Sequence, residues 1–275
     1  MARMMNSVTL AHHAHLFPAA IRADGTVEEL LKHLDACGIA EAVCFAPLPH
    51  QMDPKTTDRN GWLAGELKSR RRLHGFGTLD FTGNVRQQIR QIVDLGFKGI
   101  KIHPPVQKLD ILSAPALEAY AAAQEADLFL TFHTGVHHSR LRESRVIDWD
   151  EIACQFPKLR FSMEHVGGWS FFHEALAVMV NHTPPPWEAG SCKVFAGLTS
   201  IFSPDQMPFW YLSPERLREL VRQVGINQLI FGLDFPYNDV AATKRGIETI
   251  RAMELSDEDT AKILGGNLRR ELGIV

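Results

Sequence analysis

The chain has 275 residues, of which 45% are apolar and 22% charged, and its formal net charge is −3. This is the composition of a globular chain long enough to bury a sizeable core, and it excludes the broad basic field that nucleic-acid binding needs. No apolar run approaches the roughly 20 residues that span a bilayer, and the opening MARMMNSVTL has no apolar centre followed by a cleavage site, so no secretion signal is expected.

Along the chain, short strand-like runs alternate with longer helical patterns. VTLAHHAH (8–15) is the first strand, and VEELLKHLDACG follows with Val27, Leu30, Leu31 and Leu34 on one face and Gly38 as its stop. EAVCFAPL (41–48) and LHGFGTLD (73–80) are the next strands. NVRQQIRQIVDLG then predicts a helix capped by Asn84 and stopped at Gly96, with Val85, Ile89, Ile92 and Val93 as its stripe. GIKIHPP (99–105) precedes the alanine-rich helix APALEAYAAAQEAD, and LFLTFHTG (128–135) and LRFSMEHVG (159–167) are strands five and six. The irregular NHTPPPWEAGS (181–191) leads into CKVFAGLTS (192–200) and is expected at the bottom of the fold. SPERLRELVRQVG has Ser213 as N-cap, Pro214 in its first turn and Gly225 at its end. LIFGLDFP (229–236) is the eighth strand, and two or three helices should close the chain between about 240 and 272.

Eight strand–helix units in one unbroken chain predict a single-domain α/β fold over residues 1–275, a (β/α)8 TIM barrel. A doubly wound open sheet is the rival, but no glycine-rich phosphate loop follows the first strand. Polar residues also end strands one, four, five, six and eight, and a barrel gathers all its strand ends at one mouth. Cys37, Cys44, Cys154 and Cys192 lack C-x-x-C spacing and fall in predicted helices or strands, as expected of reduced, buried thiols in a cytoplasmic protein.

Residues two apart on a strand share a face, so His13 and His15 should project together, with His12 turned toward the outer helices. His133 and His165 each end a strand just before a glycine-containing turn, where the chain can bend away and a ligand approach closely. Asp234 interrupts an apolar strand and calls for a cation or a hydrogen-bond partner. Lys101 and His103 also share a face. Lys101 fits an anion contact, a carboxylated bridge between two metals, or an inward lysine paired with a carboxylate. The loop after strand five carries His137, His138, Arg140, Arg142 and Arg145 and is expected over the mouth, facing an anionic ligand.

Taken in order, AHHAHLFP, GIKIHPP, TFHTG, EHVGG, FGLDFP and GGNLRRELGI resemble the amidohydrolase superfamily. The likeness is to its amidohydrolase-2 group of metal-dependent TIM-barrel hydrolases, which also holds decarboxylases. The resemblance implies that His13, His15 and His133 are metal ligands. It implies that His165 is a second-metal ligand or catalytic group, and that Asp234 binds metal and handles the proton of water. Ala11 departs from the pattern, since many relatives carry Asp two residues before the first motif histidine.

The expectation is therefore a hydrolase of amide, ester or lactone bonds. His13, His15, His133 and Asp234 would hold a divalent ion, with zinc favoured. Asp234 would take the water proton and His165 would polarise the scissile carbonyl. Lys101, His103 and Arg140 would orient a small anionic substrate. A decarboxylase on the same scaffold, a metal-independent lactonase and a non-catalytic binding protein are the alternatives. No nucleic-acid or membrane partner is expected, and a homo-oligomer is left open.

Overall fold

In the computed structural model, which describes residues 8–53, 56–185, 187 and 190–274, eight strands form where the apolar runs predict them. They are β1 (Val8–His15), β2 (Ile39–Phe45), β3 (Leu73–Thr78), β4 (Gly99–Ile102), β5 (Phe129–His133), β6 (Phe161–Glu164), β7 (Val194–Leu198) and β8 (Leu229–Phe235). Each pairs in parallel with the next, and β8 returns to β1 to close the barrel, which excludes the open-sheet rival. β4 and β6 end one residue before His103 and His165, so both histidines start loops rather than finish strands.

The helices form for local reasons already visible in the sequence. Asn84 accepts from the Gln87 amide at the start of Val85–Asp94, and Ser213 accepts from the Arg216 amide at the start of Pro214–Val224. Gly38 ends Val27–Cys37 in the left-handed region at φ 68°. Val240–Arg251, Asp257–Ala261 and Asn267–Leu272 close the chain. Among the described residues, no helix is long and apolar enough to cross a membrane. The loop expected at the barrel bottom lies partly outside the described residues. Its Thr183, Pro184 and Gly190 border one cavity with Asn227 and Gln228, which lead into β8.

Apolar packing occurs in two places. The larger cluster lies between strands and helices and includes Leu30, Leu34, Ile89, Ile92, Leu217 and Leu220. The smaller fills the barrel, where Phe45, Phe76, Phe129 and Phe195 form a chain of rings with centroids 5.5–6.3 Å apart. This aromatic floor packs the barrel interior beneath its C-terminal mouth, with His12 and Thr131 bonded to each other beside it.

Three expectations fail. His12 faces the interior, with its ring against Phe45, Phe76 and Phe129. The alternation rule breaks because β1 shifts register between Ala11 and Ala14, with His13 left-handed at φ 68°, so His12 and His13 both turn inward. Val93 is exposed rather than part of the buried stripe. All four cysteines are free, but Cys154 is exposed and Cys37 half-buried.

Phe129 packs on Phe76, Phe195 and His12 in the barrel interior, so Phe129→Ala measures the floor. The expected loss is about 3–5 kcal/mol in denaturant unfolding, as for a large ring removed from a tight core.

Candidate active site

The mouth is assembled from strand ends that lie far apart in sequence. The β1–β8 pairing sets His12 beside Gly232 and Ala14 beside Phe235, which brings His13 and His15 next to Asp234. His13 Nε2 lies 3.1 Å from His15 Nε2 and 3.5 Å from Asp234 Oδ1, and His15 Nε2 lies 3.6 Å from that oxygen. A tetrahedral ion with arms of 2.0–2.1 Å needs ligand atoms about 3.3 Å apart, so these three donors match a single divalent ion. All three residues are buried.

Two of the three donors, His13 and Asp234, are oriented from behind. His13 Nδ1 donates to Glu164 Oε2 at 2.7 Å, which turns the Nε2 lone pair toward His15 and Asp234. Ser200 Oγ donates to Asp234 Oδ2 at 2.5 Å and is itself held by Asn238 Nδ2 at 3.0 Å, which leaves Oδ1 facing the histidines. His13, His165 and Asp234 all sit in the left-handed region, at φ 68°, 63° and 56°. Such backbone costs of order 1–3 kcal/mol per residue and persists where surrounding contacts enforce it.

His133 stands outside this group of three. His165 Nδ1 donates to the Thr199 carbonyl at 2.7 Å, and its Nε2 lies 3.2 Å from His133 Nδ1. The chain of bonds leaves His133 Nε2 bare, buried and without a partner. His103 stacks on His133 with ring centroids 4.0 Å apart, and Trp210 stacks on His165 at 4.1 Å. Trp210 Nε1 also donates to the Val136 carbonyl, which ties the loop after β7 to the loop after β5 across the mouth. Gly168 allows this closure, because a Cβ there would meet Trp210 Cδ1 at 2.9 Å.

A cavity of about 210 Å³ opens above these groups. His13, His15, His103, His133, His165 and Asp234 line it, as do His50, Gln51, His137, Met207, Trp210 and Tyr237. Lys101 is buried just beneath, with Nζ 3.3 Å from His13 Nε2 and 5.1 Å from the Phe45 ring centre, and is not part of the lining. The arginines are elsewhere. Arg140, Arg142 and Arg145 border a separate cavity with Lys108 and Trp149, so the loop after β5 brings only His137 to the site.

Burial dominates the electrostatics. It holds His13, His15, His103 and His133 well below the usual imidazole range and pushes His165 down to about 4; the nearby Lys101 charge adds to the shift in each. Burial also pulls Lys101 down to about 8 and pushes Asp234 up to about 6. Glu164 behaves differently. Burial opposes its charge, but attraction and hydrogen bonds from His12 and His13 keep it well below the usual carboxylate range.

Sequence reasoning missed Glu164, although it stands in the motif EHVGG. A carboxylate before a strand-end histidine was the available signal. His50, His137, Met207, Trp210 and Tyr237 come from loops, whose course no local pattern reveals.

The fold recurs in known structures. One is 2,6-dihydroxybenzoate decarboxylase from Rhizobium (15% identity, TM-score 0.69, covering 98% of this chain and 99% of that one). A dihydroxybenzoic acid decarboxylase from Polaromonas sp. JS666, bound to manganese and the inhibitor 2-nitroresorcinol, is similar at 14% identity (TM-score 0.69, 98% and 97% covered). A candidate 2-pyrone-4,6-dicarboxylic acid hydrolase from Pseudomonas putida is similar at 18% identity (TM-score 0.69, 96% and 97% covered). At such identities these likenesses show the fold. No functionally curated protein matches the chain. The amidohydrolase family profile, however, matches residues 12–274, and the chain belongs to that family.

Proposed function

We propose that the protein is a metal-dependent hydrolase that cleaves an amide, ester or lactone bond of a small anionic substrate. The observation that carries this reading is the triangle of His13 Nε2, His15 Nε2 and Asp234 Oδ1, with edges of 3.1–3.6 Å and with His13 and Asp234 oriented from behind. These three residues would hold the ion, and His133, with its bare buried Nε2, is the fourth candidate ligand. Zinc suits three imidazoles and one carboxylate. When bound, a divalent ion supplies Lewis acidity that makes water a competent nucleophile near neutral pH.

The chain's own residues supply the rest. Asp234, whose Oδ1 faces the cavity beside His13 and His15, takes the proton of the attacking water and returns it to the leaving group. Ser200 and Asn238 keep its carboxylate aimed while it does so. The expected role of His165 changes. Its Nδ1–H is committed to the Thr199 carbonyl and its Nε2 carries no proton at neutral pH, so it has no N–H to polarise a carbonyl. It orients His133 instead. His103 and His137 border the place a substrate would fill, Trp210 and the loop after β7 limit access of bulk water, and Lys101 contributes charge from below rather than a direct contact. A cytoplasmic setting fits the four unpaired cysteines.

Decarboxylation is the second reading. The flat rings of His103, His133, Trp210 and Tyr237 border a space that suits a planar aromatic acid. In that case the ion and Asp234 would engage the substrate itself, and no water would attack. Carbon dioxide release against a deacylated or ring-opened product separates the two.

Removing metal with a chelator should abolish turnover, and re-adding zinc or manganese should restore it; unchanged turnover after stripping ends the metal reading. Asp234→Asn should lower kcat about 10²–10⁴-fold, the usual range for loss of a general base.

The metal-free protein should also be acid-labile. Five site histidines have folded pKa values below the unfolded value of about 6.5, so the unfolded chain binds more protons as pH falls. Their stabilising contribution is complete above about pH 6.5 and is lost progressively as pH falls below it. Each can contribute up to about 1.4 kcal/mol per pH unit. Asp234 opposes this trend, as one carboxyl against five imidazoles. Thermal melts of stripped protein should drop by about 5 °C or more between pH 7.5 and 5.5.

A further inference from the structure

We infer that Glu164 is the positioning residue of the metal site, reaching across the barrel from β6 to fix the tautomer and direction of His13. The inference rests on the metal-site reading above and deepens it.

A carboxylate with no solvent exposure is costly, and chains keep one only where it is fully satisfied or has a task. Glu164 is satisfied with care. It accepts from His13 Nδ1 at 2.7 Å, from Thr199 Oγ1 at 2.7 Å and from Ser162 Oγ at 2.5 Å, and His12 Nδ1 lies 3.3 Å from Oε1. Two of these donors are hydroxyls that turn to suit a carboxylate, and the third is the candidate metal ligand.

The neighbouring strands leave space for it. Gly197 on β7 is in register with Glu164, and a Cβ there would lie within 2.5 Å of three atoms of the Glu164 side chain. Gly232 on β8 plays the same part for Thr199, whose Oγ1 occupies the position a Cβ would take. Two glycines in barrel strands, where glycine is otherwise unfavourable, thus make room for one carboxylate and one of its donors.

The direction of the hydrogen bond gives Glu164 its effect. An imidazole that donates from Nδ1 presents a lone pair at Nε2, and a carboxylate acceptor makes that lone pair more basic. His13 Nε2 is the corner of the triangle nearest to both His15 and Asp234. Support comes from β6 because β1 offers none, with Ala11 packed in the outer apolar cluster.

The test uses chelator-stripped full-length protein, ¹⁵N NMR of the histidine side chains, and Zn²⁺ titration against a chromophoric chelator. Wild-type His13 should carry its proton on Nδ1. Glu164→Gln should fold, as judged by circular dichroism, yet bind Zn²⁺ about 10–100-fold more weakly and lose the fixed tautomer. Gly197→Ala should weaken Zn²⁺ in the same direction by displacing the carboxylate, although residue 197 touches no ligand. Wild-type His13 protonated on Nε2, or Zn²⁺ affinities of both variants within about threefold of wild type, would overturn the inference. If Glu164→Gln does not fold, the wild-type tautomer and Gly197→Ala decide. If the wild type takes up neither Zn²⁺ nor Mn²⁺, the metal reading fails, and the His13 tautomer in wild type and variant still decides what Glu164 does.

Discussion

The seam between β1 and β8 is the contact on which the site depends. Every other neighbouring strand pair is consecutive in the chain, but this one joins residues more than 200 positions apart and closes the barrel. It is also where the pairing is least regular, since the register shifts between His12 and Ala14. A regular ladder continued from Leu10 and His12, which face the interior, would have pointed His13 at the outer helices. The bulge at His13 gives up one step of alternation and in return places His12, His13 and His15 all inside. Closure and irregularity work together here: the first brings Asp234 alongside β1, and the second aims the imidazoles at it.

That arrangement concentrates unfavourable terms in a small volume. Left-handed backbone at His13, His165 and Asp234, the buried charges of Glu164 and Lys101, and orphaned ring nitrogens on His103 and His133 lie together. None of these would be selected for stability alone. The aromatic floor below and the helix-facing cluster outside are continuous and conventional by comparison. Stability is supplied by the shell and by the bottom of the barrel, and it is given up at the mouth, as expected where geometry serves chemistry.

The same division explains what the sequence revealed. The strands and helices were legible because their periodicity and caps are local: Asn84 and Ser213 cap the helices that their positions predict, and eight apolar runs mark eight strands. The polar ends of those strands pointed to His13, His15, His133, His165 and Asp234, all of which border one cavity. His12 was misplaced because a bulge leaves no mark in a pattern of period two. Glu164 leaves no comparable mark, because its partner His13 lies 151 positions away on another strand. Charge alone places the arginines after β5 at the mouth, but the direction of a loop is set by packing, and the 3-10 turn through Leu141–Ser144 accompanies their placement at a different cavity.

The displaced arginines raise the question of how a pocket without them would attract an anion, and the buried charges answer it. Glu164 and Asp234 are negative near neutral pH, Lys101 is positive, and the surrounding imidazoles are neutral because burial and the Lys101 charge hold their pKa values down. The formal sum at the centre is then −1, which favours a cation. A divalent ion turns the sum to +1, which favours an anion. Metal and substrate would therefore bind in order, with the first creating the field that draws the second, and no surface arginine is needed. Neutral imidazoles serve the first stage, since their lone pairs can hold a cation. Burial keeps those imidazoles unprotonated, and Lys101 adds to that effect from below without lining the cavity.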